Sequence, residues 1–247
     1  MADVVAVIPA RAGSKGVIDK NIKLLVDQPL IAYSIAAARM ANSIDRVIVS
    51  TDSKVYADIA RDYKAEAPFL RPIEISGDTS TDYDFVRHLL DWMLSNQGGM
   101  PEYVVHLRPT TPLREIHYID SAIDSIKKNI YATALRSVHE MSESAYKSFE
   151  IERDLLKPIG SNSFDLDAFN KPRQSFSKTY QPNGYVDVLK TSYIIENKKL
   201  HGDHVIPFIT PHVVEVDTVD DFEYLEYQVQ KDSTIMKKLF YKEKNKL

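Results

Sequence analysis

The chain has 247 residues, no cysteine and a formal net charge of -4, with 44% hydrophobic and 27% charged residues. That is ample material for the core of one large domain and argues against wholesale disorder. The acidic balance disfavours a general nucleic-acid binder, which needs a clustered cationic surface, and the missing cysteines remove disulfides, thiol nucleophiles and cysteine-ligated zinc.

In chain order, "VVAVIP" (residues 4–9) is short, continuous and β-branched, the pattern of a buried strand. "PLIAYSIAAARMAN" sets Ile31, Ile35 and Ala38 on one helical stripe. "DRVIVST" predicts a second buried strand, and "SKVYADIARDY" a helix capped by Ser53. "DYDFVRHLLDWML" places Val86, Leu89, Leu90 and Met93 at helical spacing, with Trp92 on the same apolar stripe as a core residue. "EYVVHLRP" is a third strand, a helix follows over about 115–128, and "YATALRSV" is a fourth strand. Such alternation predicts an α/β fold, a Rossmann-like three-layer α/β/α arrangement with a mostly parallel sheet. The pattern breaks over about 139–181, which is polar and reads as a small insertion within a single domain spanning 1–247. Strand-like order resumes in "GYVDVL", "HVIPFI" and "HVVEVD". Phe222, Leu225 and Val229 then share a helical face, and the basic tail "KKLFYKEKNKL" reads as a solvated helix end.

The start carries no leader-like pattern, since residues 1–3 are acidic and the apolar run covers only 4–9. No segment approaches the roughly 20 apolar residues of a membrane span. The expectation is a cytoplasmic protein without membrane or nucleic-acid partners.

In an open parallel sheet, ligands bind beyond the carboxyl ends of the strands, so the loop after the first strand is a candidate site. Here it reads "VIPARAGSKG". Gly13 and Gly16 let backbone N–H groups approach a ligand, and Arg11, Lys15 and Lys20 add positive charge, a combination suited to a polyphosphate. Neither G-x-x-x-x-G-K-[ST] nor G-x-G-x-x-G is present, so the phosphates are held differently from those of the two families carrying these motifs.

"IPARAGSKGVIDKN" resembles the opening signature of the cytidylyltransferases that activate sialic acids and related nonulosonic acids. The resemblance continues, in family order, through "DRVIVSTDS", "FLRP", "GDTSTDYD", "LRPTTPLR", "KPRQ", "YQPNG" and "VEVDTVDDFE". It covers about residues 4–226, and Kdo cytidylyltransferases are similar too. It implies a CTP-dependent transferase. The anomeric hydroxyl of a 2-keto-3-deoxy sugar acid attacks the α-phosphate, pyrophosphate leaves, and a CMP-sugar results.

Carried over position by position, the resemblance gives Arg11 and Lys20 to the triphosphate and Ala10, Gly13, Ser14 and Asn21 to the nucleotide site. Arg71 falls near the cytosine, with Thr79 and Thr81 as nearby hydroxyls; a surface arginine and helix caps are the plainer readings of these three. Asp217 matches the principal Mg²⁺ ligand, while Glu215 stands where a second aspartate is usual. Two apart on a strand, these carboxylates would share one side. Arg108 replaces a common glutamine near ribose and sugar and would bring a full charge. Arg114 reads as structural. Arg173 would hold the acceptor's carboxylate as a bidentate fork. Gln181 replaces a common arginine, and Asn183 completes the substrate-binding set. Arg108 gained and Gln181 lost point to an altered acceptor of the legionaminic type. Through its insertion, which carries Tyr146, Phe149, Phe164 and Phe169, the chain is expected to form a homodimer.

Two alternatives stay open: a sugar-phosphate nucleotidyltransferase, whose usual G-x-G start is missing, and a nucleotide-binding module without catalysis, disfavoured by Arg11, Lys20 and Asp217 together. His201 and His204 lack a third ligand for zinc, and no G-x-S-x-G elbow supports a serine hydrolase.

Overall fold

The computed structural model describes residues 2–241. Strand β1 (Val4–Pro9) shows why its run is continuously apolar. Val4, Ala6 and Ile8 enter one core, while Val5 and Val7 enter another on the opposite face of the sheet. A small hairpin of β2 (Leu24–Leu25) and β3 (Gln28–Pro29) leads into α1 (Leu30–Met40), followed by β4 (Arg46–Ser50), α2 (Lys54–Asp62), α3 (Asp82–Gln97) and β5 (Tyr103–His106). Next come α4 (Ile116–Lys128), β6 (Ala134–Glu140), the hairpin strands β7 (Phe149–Glu152) and β8 (Leu155–Pro158), and β9 (Tyr180–Lys190). The described chain closes with α5 (Thr191–Asn197), β10 (Val205–Ile209), α6 (Val219–Lys231) and α7 (Thr234–Phe240).

The central sheet has the order β10-β6-β9-β5-β1-β4. Its strands run parallel except β9, which lies antiparallel between β5 and β6. Helices α1, α4, α6 and α7 pack on one face, and α3 and α5 on the other, giving the expected three layers. Ser53 caps α2 as predicted, its hydroxyl accepting from Tyr56 N–H at 3.4 Å. The helix after Asp217 is capped by Thr218, which forms a capping box with Asp221 and leaves the Asp217 carboxylate free for other work.

One expected strand is absent from the ladders. "HVVEVD" (212–217) joins no strand ladder; it follows Pro211, which has no N–H to give one. It crosses from the edge strand β10 to the loop after β5, where Val216 N–H donates to Thr110 O at 2.8 Å. Between β6 and β9, residues 141–179 hold the β7–β8 hairpin and short 3-10 turns, with Phe149, Ile151, Leu155 and Leu156 exposed. The basic tail begins inside α7; its residues 242–247 lie outside the described residues. No helix among the described residues is long and apolar enough to cross a membrane.

The α3 face depends on Leu89, fully buried between the helix and the sheet. Leu89→Ala should cost about 3 kcal/mol through lost burial and a residual cavity. Urea denaturation checks this, and a loss below about 1 kcal/mol would show that the face repacks.

Candidate active site

The loop after β1 is tied down at several points. Ala10 N–H donates to Ser50 O at 2.9 Å, and Ala12 N–H donates to the Asp52 carboxylate at 2.8 Å. Asn21 is buried and donates from Nδ2 to Arg11 O at 3.0 Å. Gly13 turns the loop at φ +73°, which disfavours a side chain. Gly16 meets the opposite segment so closely that a Cβ there would collide with the Asp217 carbonyl oxygen. Lys20 closes the contact, its Nζ donating to Val216 O at 2.6 Å and lying 3.3 Å from Asp217 Oδ1. The loop therefore faces Asp217 by construction.

Beyond it opens a cavity of about 420 Å³. Its lining brings together Arg11, Ser14, Lys15, Lys20, Asn21, Arg71, Thr81, Arg108 and Asp217 from the sequence reading, and adds Asp78, Asp82, Phe85 and His106. Arg11 and Lys15 both pair with Asp78, the former at 2.9 Å. Arg71 is buried rather than a surface residue. It donates to Ser50 Oγ at 3.1 Å and Ser50 O at 2.6 Å and lies over the Phe85 ring. Burial pulls its guanidinium down to about 10, which leaves it charged at neutral pH.

At the β5 end, Arg108 is held by two carboxylates: Nη2 donates to Asp82 at 2.8 Å and Nη1 to Asp187 at 3.1 Å. Burial works against its charge, but Asp187 and Asp82 raise it further than burial lowers it. Arg108 is therefore not the uncompensated cation that its replacement of a glutamine implied. Arg114, structural as expected, is fully buried and donates to the carbonyls of Tyr185, Arg108 and Gly184 and to Ser34 Oγ.

Other expected residues lie elsewhere. Glu215 accepts the N–H of Gly184 and does not line the cavity beside Asp217. Thr81 caps α3 with Asp84, and Thr79 is exposed outside the lining. Asn183 is buried, donating to Thr210 Oγ1 at 2.9 Å. Arg173 and Gln181 line a separate hollow toward the insertion with Glu140 and His212, and Arg173 lies 3.7 Å from Glu140. His204 pairs with Asp203, and no cluster of three or more metal-binding side chains occurs among the described residues. The sequence reading missed Asp82, His106 and Asp187. The signal was there for two of them, as polar interruptions in the apolar strands "EYVVH" and "GYVDVL".

Among the described residues no preformed carboxylate cage exists, but Asp217 stands at the rim with its side chain 75% exposed. Mg²⁺ is commonly held by one or two carboxylates together with substrate phosphates and water. The donor set fits an ion that arrives with a nucleotide.

A family profile described as "Cytidylyltransferase" matches residues 5–247. The chain belongs to this family. Cytidylyltransferases like this one are CTP-dependent nucleotidyltransferases. It is 31% identical over 228 residues to the CMP-N,N'-diacetyllegionaminic acid synthase of Legionella pneumophila, covering 90% of this chain and 94% of that protein. It is 30% identical over 226 residues to an N-acylneuraminate cytidylyltransferase of Escherichia coli O18:K1:H7, covering 89% of this chain but spanning only 50% of that relative. In structure it resembles CMP:2-keto-3-deoxy-manno-octonic acid synthetase complexed with CTP, with a TM-score of 0.68 at 16% identity over 93% of this chain and 99% of the other, a likeness of fold.

His106 gives this cytidylyltransferase an acid limit. Burial, then the neighbouring Arg108, push its imidazole down to about 4. The unfolded chain takes up that proton near 6.5 and the native state only near 4, so stability present at neutral pH is lost as pH falls between those values. His106→Gln should remove about 2 kcal/mol of the loss between pH 7 and pH 5, measured by urea denaturation. An equal loss in both proteins would contradict this.

Proposed function

We propose that the protein transfers CMP from CTP to the anomeric hydroxyl of a 2-keto-3-deoxy sugar acid and releases pyrophosphate. The observation that carries this reading is the cation-bearing loop after β1 seated directly against Asp217. Transfer of this kind asks little covalent chemistry of the protein; it asks for alignment and for charge compensation on the phosphates. The acceptor's hydroxyl oxygen forms a bond to the α-phosphorus and loses its proton to water, while the bond to the bridging oxygen of pyrophosphate breaks.

Arg11, Lys15 and Lys20, with the N–H groups of Gly13 and Ser14, take the triphosphate. Phosphate oxygens replace Asp78 as the partner of Arg11 and Lys15. Mg²⁺ held by Asp217 adds further charge neutralisation. Glu215 holds the Gly184 backbone instead of the ion. Cytosine sits against Arg71 and Phe85; its N3 and O2 accept from a guanidinium, whereas the N3–H of uracil would oppose one donor with another. Arg108 faces the acceptor, Arg173 supplies the fork for its carboxylate, and Gln181 contributes a neutral amide. We place the reaction in the cytoplasm, where CTP is made, and read residues 1–247 as one nucleotidyltransferase domain.

We also propose a homodimer through the insertion. The β7–β8 hairpin leaves Phe149, Ile151, Leu155, Leu156 and Ile159 exposed, with Tyr146 and Phe164 beside it. Exposed apolar side chains in this number fit a second copy of the chain. Light scattering at micromolar concentration should give twice the chain mass; a monomer would remove the proposal.

The direct test incubates the protein with each of the four NTPs and a panel of keto acids and follows pyrophosphate. Release should need CTP, a sugar acid and a divalent ion, stop with a chelator and return with Mg²⁺. Lys20→Ala should lower turnover by roughly 10²- to 10³-fold, the cost of losing one preorganised donor. Turnover at the unaltered rate would contradict the placement of the triphosphate.

A further inference from the structure

Asp187 on β9 is fully buried and does not line the nucleotide cavity. Its Oδ2 accepts from Arg108 Nη1 at 3.1 Å, while Arg108 Nη2 reaches Asp82 on the first turn of α3 at 2.8 Å. The guanidinium is therefore stretched between one carboxylate inside the sheet and one at the cavity wall. Asp187 also meets groups from every neighbouring element. His106 stands opposite it on β5 and Arg136 on β6, His201 Nε2 lies 3.9 Å away from the loop after α5, and Ser137 N–H donates to Oδ1 at 3.4 Å. Burial alone would push this carboxyl up; His201, Arg108 and His106 together hold it below its ordinary value. A buried carboxylate is tolerated only with such partners, and Arg108 is the cation in direct contact.

We propose that Asp187 is the positioning residue for Arg108, fixing the guanidinium so that the acceptor meets a rigid, charge-matched hydrogen-bond donor rather than a free cation. The inference rests on the transfer reading above, in which Arg108 faces the sugar acid. It also narrows the chemistry of what Arg108 binds. With its charge already balanced by Asp187 and Asp82, the remaining N–H groups suit neutral acceptor oxygens, such as hydroxyls and amide carbonyls, better than a second carboxylate. An arginine and an aspartate in contact also act as a unit: changing either alone strands the other.

The test is a double-mutant cycle on the full chain, using Asp187→Asn, Arg108→Gln and the two combined. Steady-state kinetics use CTP with N-acetylneuraminic acid and with a diacetamido nonulosonic acid. Asp187→Asn should raise the KM of the better acceptor about tenfold while the KM for CTP changes less than about twofold. On the Arg108→Gln background, adding Asp187→Asn should change the acceptor KM less than about twofold, because there is no guanidinium left to position. An acceptor KM unchanged in Asp187→Asn, or a loss on the Arg108→Gln background as large as on the unaltered protein, would overturn the proposal. Should Asp187→Asn fail to fold, the comparison of Arg108→Gln with the double variant decides. Should no keto acid react with CTP, the transfer reading falls instead. Thermal denaturation then judges the pair: losses of Tm that add would overturn the coupling, and a double variant more stable than that sum supports it.

Discussion

The buried Arg114 guanidinium is the contact on which the site's geometry depends. An unpaired charge in this position would be prohibitively costly. It is retained because it donates to the carbonyls of Arg108, Gly184 and Tyr185 and to Ser34 Oγ, charge-assisted bonds each stronger than a neutral one. Burial brings it down to about 9, so it still carries its charge at neutral pH. One side chain thereby joins the loop after β5 to β9 and to α1. The backbone of Arg108 is set by this contact, and Gly184, held on one side by Arg114, offers its N–H on the other side to Glu215. Glu215 in turn fixes the unpaired segment that ends at Asp217.

Charge in the nucleotide cavity follows a second rule: every lining cation except Arg71, which donates to Ser50, already has a carboxylate partner. Arg11 and Lys15 share Asp78, Lys20 meets Asp217, and Arg108 lies between Asp82 and Asp187. The Asp78 and Asp217 contacts are solvent-exposed on the carboxylate side, where an ion pair is worth little. A triphosphate with its counterion can replace them at small cost. The Arg108–Asp187 contact is of the opposite kind, sealed beneath the sheet's surface and unsuited to exchange. The exposed pairs bind and release, and the buried pair positions.

Much of this was legible in the residues. Buried strands announce themselves through β-branched continuity, as in β1 and β4, and amphipathic helices through their stripe, as in α3. The loop after β1 stood out because glycines and cations follow directly on a strand. What was less legible depends on contacts distant in sequence. "HVVEVD" has the composition of a strand, but it joins no ladder, and Glu215 turns to the Gly184 N–H while Asp217 lines the cavity. Arg71 looks like a surface residue before a proline; only the fold reveals Ser50 and Phe85 around it. Arg108 reads as an added charge until β9 brings Asp187 beneath it, a pairing across 79 positions of chain.

The central claim is that CTP binds with its triphosphate on the loop after β1 and its base at Arg71. A crystal structure of the protein with CTP and Mg²⁺ tests it most directly. The account predicts phosphate oxygens on Arg11, Lys20 and the N–H groups of Gly13 and Ser14, the ion on Asp217, and cytosine N3 and O2 facing Arg71. Nucleotide density in the hollow beside Arg173 and Glu140, with the loop after β1 still paired to Asp78, would contradict it.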